Sequence, residues 1–223
     1  MSRRSVTIAS LSSLAALALV VACNVDSTAP SGNAGLRVIN AWQSPVDVIV
    51  DGRVVMSGLA VSGISPKVGI APGSHDVRLQ SSSGIAADVA VTAVDGATTT
   101  TYGYASSGLL DVAELPDTGA IVPAGHTKLR VVHLAASAPP LDVWRTQPDY
   151  QTPIRVMFPF PYLAASPYLQ STVGSWEVFV TALHGDSTLK LATTGAVAIP
   201  DGQRRTAVLM DSAGTMVFRV LDN

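Results

Sequence analysis

An internal duplication constrains this chain more than any other feature. Leu36-Arg37-Val38-Ile39 returns as Leu129-Arg130-Val131-Val132, and Pro45-Val46-Asp47-Val48 returns as Pro140-Leu141-Asp142-Val143. Residues 54–84 align without a gap on 155–185, with identities at Val55/Val156, Met56/Met157, Ser65/Ser166, Pro66/Pro167, Gly73/Gly174, Ser74/Ser175, Val77/Val178 and Gly84/Gly185. Asp95-Gly96 then matches Asp201-Gly202, and Ser106-Ser107-Gly108 matches Ser212-Ala213-Gly214. A period of roughly 100 residues is well beyond the roughly 20–50 of stacked solenoid repeats, so each copy must bury a core of its own.

Each copy reads as strands. Alternation with β-branched residues marks Arg37–Ala41, Val46–Asp51, Ser74–Gln80, Ala87–Val94 and Thr98–Ala105. Asp-Gly at 51–52, 95–96 and 201–202 predicts hairpin turns, because Gly tolerates the left-handed backbone they need. Acid usage agrees: 14 Asp against two Glu suits turns and not helices. No stretch after the N-terminal segment keeps a 3.6-residue period. The expected fold class is all-β, two tandem immunoglobulin-like β-sandwich domains. The expected layout is a signal peptide over 1–22, a lipidated Cys23 with a flexible tether to 35, one sandwich over 36–115, a linker serving as hinge over 116–127, and a second sandwich over 128–223.

The N-terminal expectation rests on a short basic start (Arg3, Arg4) followed by an uncharged run with its apolar centre at Leu14–Val21. That run is short for a permanent membrane helix, and no later stretch approaches the length of one. Val20-Val21-Ala22-Cys23 resembles the bacterial lipobox, where the Cys thiolate is the nucleophile that takes the lipid. The expected partner of acylated Cys23 is therefore a membrane, since several acyl chains anchor stably where one is marginal. Ser2-Arg3-Arg4 leaves twin-arginine export open beside the general route. Asn24, in place of the Asp that often retains lipoproteins at the inner membrane, leans toward the outer one if the host has it. The Ser/Pro/Gly/Asn-rich stretch 24–35 has little to bury and reads as a tether.

Several function classes are disfavoured. Net charge is -2, and removing Arg3 and Arg4 with the leader leaves 12 basic against 16 acidic side chains, or -4, a poor match for nucleic acid. One Cys allows neither a disulfide framework nor a Cys-built zinc site. No GxSxG elbow is present, and His75, His126, His133 and His184 form no HxH or HxxxH pair, so no catalytic residue, metal or cofactor is expected. Asp47 and Asp142 recur in the two copies. Without DxDxDG spacing they read as acceptors for local backbone amides instead of calcium ligands.

Aromatic usage is uneven: seven of 12 Phe, Tyr and Trp residues lie between Tyr150 and Phe179. Phe158-Pro159-Phe160-Pro161-Tyr162 replaces Ser57-Gly58-Leu59-Ala60-Val61 of the first copy, and the prolines place the segment at an edge or in a loop. Phe179 shares the alternating face of Glu177, opposite Trp176 and Val178, and is expected to point outward. Phe158, Phe160, Tyr162 and Phe179 are thus the candidate ligand-binding residues, a rigid platform for a polysaccharide or a surface protein. The alternative is that these rings plug the sandwich end or the contact between domains, leaving a structural spacer with no specific ligand.

LRVINA…PVDVIVDG, then SPKVGIAPGSHDVRL, then a Gly-ended turn into Thr-Tyr-Gly-Tyr resembles the domain-of-unknown-function family 4397 over nearly all of 36–115 and less clearly over 128–221. The resemblance implies a bacterial, extracytoplasmic, often lipid-anchored and frequently tandem protein with sandwiches similar to immunoglobulin domains. It brings no catalytic residues. The second copy departs from the pattern. Trp144-Arg145 stand where Ile49-Val50 do, no Gly follows to make the turn, and five extra residues lengthen a hairpin between 186 and 200.

Overall fold

The computed structural model describes residues 33–117, 121–146 and 151–222. Cys23, the leader and most of the tether lie outside them. The described residues are all-β, and no helix among them is long and apolar enough to cross a membrane.

The first unit has β1 (Ala34–Asn40), β2 (Val46–Val50), β3 (Arg53–Leu59), β4 (Val68–Ile70), β5 (Gly73–Ser81), β6 (Ala86–Ala93), β7 (Thr98–Ser106) and β8 (Leu109–Leu115). They form two four-stranded sheets, β4-β1-β7-β8 and β3-β2-β5-β6. The second unit has β9 (His126–Leu134), β10 (Leu141–Arg145), β11 (Ile154–Phe160), β12 (Leu169–Thr172), β13 (Gly174–Trp176), β14 (Val178–Ala182), β15 (Ala192–Thr193), β16 (Val197–Ile199), β17 (Arg204–Ser212) and β18 (Thr215–Asp222). Its sheets repeat the order, β12-β9-β17-β18 and β11-β10-β14-β15, with β13-β16 as a separate pair. The duplicated sequence therefore has a duplicated topology. Even the bulges repeat: β2–β3 slips register on either side of Val48, and β10–β11 does so on either side of Val143.

The sandwiches differ from a purely antiparallel immunoglobulin pattern in one pair each, because β1 runs parallel to β7 and β9 parallel to β17. Only one of the three Asp-Gly pairs makes a hairpin. Asp51 and Gly52, both at positive φ, join β2 to β3, whereas Asp95-Gly96 and Asp201-Gly202 carry the chain from one sheet to the other. The remaining tight hairpins use Ser107-Gly108 and Ala213-Gly214.

Each unit has its own core between its sheets. Leu36, Val38, Val48, Val77 and Leu79 are central to the first, and Leu129, Val131, Val143, Val180 and Leu209 to the second. A third cluster joins them. Ile39 and Leu115 of the first unit pack with Val132, Leu134, Val208, Met210 and Leu221 of the second. Burying such a side chain is worth about 1.5–3 kcal/mol, so the β4-β1-β7-β8 and β12-β9-β17-β18 sheets (the junction sheets) are held face to face. This explains why β9 is buried along nearly its whole length: one face meets its own core and the other meets the neighbouring unit. The connection expected as a hinge thus spans two packed bodies. β9 also begins earlier than expected, since His126 and Thr127 pair with Thr172 and Ser171.

Candidate functional site

The sheets facing away from the junction differ between units, and the second unit's carries the aromatic residues. In β10, Leu141 and Val143 point into the core while Asp142 and Trp144 point out. Register sets Arg155, Trp144, Phe179 and Thr193 side by side across β11, β10, β14 and β15. The rings of Trp144 and Phe179 stack with centroids 6.2 Å apart and planes 2° from parallel. The Arg155 guanidinium lies 5.8 Å from the Trp144 ring centre and 4.0 Å from that of Phe158. At the far end, Lys190 Nζ lies 4.4 Å from the centre of Phe179 and pairs with Glu177. The result is a row in which the stacked pair Trp144 and Phe179 lies between two cations, Arg155 and Lys190, with Phe158 beyond Arg155, and each cation meets a ring's negative face.

Two polar contacts fix this row. Trp144 Nε1 donates to Thr181 Oγ1 at 2.9 Å. Asp142, fully buried, accepts from Arg155 Nη1 at 2.9 Å and from the His184 amide at 3.0 Å. Asp47, its counterpart, accepts from the Gly58 amide at 2.7 Å. Both carboxylates therefore serve nearby backbone, and the second also orients Arg155. Among the described residues no group of three His, Cys, Asp or Glu side chains converges as a metal site.

The expected platform residues separate. Phe158 is 54% exposed at the free edge of β11 and borders a shallow groove of about 340 Å³ that also meets Pro159, Pro161 and Pro167. Phe160 is 3% exposed and belongs to the core: the bulge sets Met157 and Phe160, three residues apart, opposite Val143 and Leu141, two apart, so Phe160 turns inward while Phe158 stays outside. Tyr162 turns toward the first unit. Its hydroxyl donates to the Ala105 carbonyl at 2.9 Å and accepts from the Ala105 amide at 3.2 Å, and burial raises its pKa. Phe179 does face the outer side of its sheet, as alternation requires, yet it is 0% exposed because Trp144 and Lys190 cover it. The expectation of four exposed rings is corrected to one exposed ring, two buried ones and one at the junction. β11 is an edge strand, as its prolines required. Sequence reasoning missed Arg155 and Lys190. It noted Trp144 only as a departure from the first copy, and that departure was the available signal.

A family model described as a domain of unknown function, DUF4397, matches residues 35–144, which takes in the first sandwich, the connection, β9 and most of β10. No curated protein matches the chain. Among solved structures, a candidate cell adhesion protein of Bacteroides fragilis shares 12% identity, covering 81% of this chain and 84% of that one at a TM-score of 0.24. A streptococcal virulence factor described as binding alpha-glucan shares 10%, covering 82% and 96% at 0.26. A candidate cell adhesion protein of Bacteroides uniformis shares 7%, covering 85% and 98% at 0.24.

Proposed function

We propose that this chain, which belongs through residues 35–144 to the family of domain of unknown function 4397, is a cell-envelope lipoprotein that acts as a non-catalytic binding module. In this reading, acylated Cys23 holds the chain at the membrane, at the outer one if the host has two. The first sandwich serves as a stalk and the second presents its outer sheet. The observation that carries the reading is Phe158, an exposed ring with a guanidinium packed 4.0 Å over it and a groove beside it. A ring held by a neighbouring cation loses little conformational freedom on binding, and its free face suits the apolar side of a sugar or a complementary protein surface. The ligand proposed is a polysaccharide, with a surface protein as the other outcome of the test.

Retention of the purified full chain on envelope and extracellular polysaccharide fractions tests this. Wild type is retained, and Phe158→Ala is not, with circular dichroism unchanged. Equal retention of both chains removes the platform. Retention of neither on glycan fractions directs the search to surface proteins. A second experiment addresses the anchor: radiolabelled palmitate enters the wild-type chain in cells, and Cys23→Ala stays unlabelled and leaves the membrane fraction. Labelling of Cys23→Ala ends the lipoprotein reading.

One observation favours the spacer alternative. Tyr162 and the apolar cluster lock the two sandwiches together, as a rigid rod requires. A chain that binds no envelope component, and whose Phe158→Ala variant restores every phenotype of a deletion, is a spacer.

A further inference from the structure

At the linker end of the junction the two units enclose a cavity of about 380 Å³. Arg37 of β1 and Arg130 of β9, which are equivalent residues of the two copies, both line it, together with Lys67 and the β7 hydroxyls of Thr98 and Thr100. A fourth cation, Arg204, lines it too, and the carboxylates are Asp117 and Asp222. Four cations against two carboxylates make this a local positive site in a chain of net charge -2.

The carboxylates are already engaged. Asp117 pairs with Arg204 at 2.6 Å and Asp222 with Arg205 at 2.8 Å. Among the described residues, Arg37, Lys67 and Arg130 have no ion pair. Arg37 donates Nη1 to the Asp222 carbonyl at 2.7 Å, and Arg130 donates to Thr206 and to the Pro116 carbonyl. Arg37 is only 8% exposed, and burial disfavours its charged form. The Asp222 carboxylate, itself paired with Arg205, offsets only part of the cost of burying Arg37, and an anion at hydrogen-bond distance offsets more of it. Thr98 and Thr100 make no side-chain hydrogen bond to protein among the described residues, so their hydroxyls add neutral donors and acceptors to the wall.

We propose that this junction cavity binds a small oxyanion, carboxylate or phosphate, of about sugar size, through Arg37, Lys67 and Arg130. The site lies in the contact between units, away from Phe158, and stands or falls independently of the outer-sheet reading. Because both units supply its walls, an occupant also ties them together.

Calorimetric titration of the full chain with inorganic phosphate, glucuronate and neutral glucose, at matched ionic strength, tests the proposal. Phosphate or glucuronate gives saturable binding and glucose does not; which anion binds identifies the source of the oxyanion. Lys67→Met, at an exposed position, weakens binding about tenfold, as expected for one charge-assisted hydrogen bond. Arg37→Met abolishes it, and if that variant does not fold, Lys67→Met decides. Phe158→Ala leaves it unchanged. Featureless titrations with both anions, uptake of glucose equal to glucuronate, or unaltered affinity in Lys67→Met and Arg130→Met overturns the site.

Discussion

At matching positions near the sandwich ends, the first unit carries His75 and the second Trp176, one aligned pair in a duplicated strand. His75 is tied at both ring nitrogens, Nδ1 to Asp51 Oδ2 at 2.7 Å and Nε2 to the Ala71 carbonyl at 2.7 Å. Trp176 is fully buried, donates Nε1 to Thr127 at 2.8 Å, and lies under the Arg145 guanidinium at 4.1 Å. One backbone template thus closes a sandwich with a polar clamp in one copy and a buried ring in the other. The neighbouring strands record the same divergence. β5 and β6 form one long hairpin, whereas their counterparts split into β13, β14, β15 and β16, spread over two sheets. A repeat conserves the positions a core needs, while its edges and ends are free to become different surfaces.

The largest effect that can sharpen this contrast is Trp176→Ala. Removing a fully buried indole leaves a cavity and takes away the Nε1 donor to Thr127, at a cost of about 3–5 kcal/mol; His75→Ala falls well below that by urea denaturation. Comparable losses show that the two closures are energetically alike and break the comparison.

The junction sheets give the next contrast. Gly103 in β7 pairs beside Asn40, and Leu209 in β17 pairs beside His133, so they are counterparts. A Cβ on Gly103 would lie 2.6 Å from Leu79 Cδ1, in a side chain that is itself buried. Gly103→Ala therefore costs about 1–3 kcal/mol by overpacking. Leu209→Ala costs about 2–5 kcal/mol by the opposite fault, a cavity. A neutral Gly103→Ala shows that Leu79 yields.

One histidine in each copy is shifted in the opposite direction from the other. Hydrogen bonds that the His75 ring donates, to the Asp51 carboxylate first and the Ala71 carbonyl second, raise its pKa. Its stabilisation is complete below the unfolded value near 6.5 and is lost as pH rises through the folded value. Burial lowers the pKa of His133 despite opposing contributions from Pro139 and Asp211. Its contribution is complete above about 6.5 and is lost as pH falls. Urea midpoints against pH should decline on both sides, with His75→Gln flattening the alkaline limb. His133→Asn, which installs the residue of Asn40, should lessen the acid one. Unchanged limbs in both variants refute the assignment.

The smallest stability effect belongs to Phe158→Ala, expected within about 0.5 kcal/mol of wild type because the ring is largely solvated. A larger loss means that the Arg155–Phe158 contact supports the edge of the sheet and is not a free platform.

Much of this was legible in advance. Strands β2, β5, β6 and β7 fall within about one residue of their alternation patterns, and β1 begins about three residues earlier than its own, because side-chain period and burial face are properties of local sequence. β3 and β4 are less legible, since Gly58 interrupts one alternation and the other is three residues long, and β8 also goes beyond the expected strands although its Leu110, Val112 and Leu115 are buried. The burial of Phe160 and Phe179 was not legible either. Alternation gives a side chain's face, but cover comes from residues distant in sequence, here Trp144 over Phe179 and Leu141 beside Phe160.

By itself the sequence determined the all-β class, the repeat and the edge position of Phe158–Pro161, since proline, Asp-Gly turns and two-residue alternation act within a few residues. Only the tertiary structure decided that the junction sheets lie face to face, that Tyr162 reaches Ala105, and that Arg37 and Arg130 share one cavity. Those contacts join residues some 57 and 93 positions apart, from one unit to the other. No local pattern encodes which faces of two separately folded sandwiches find each other; complementary apolar surface does.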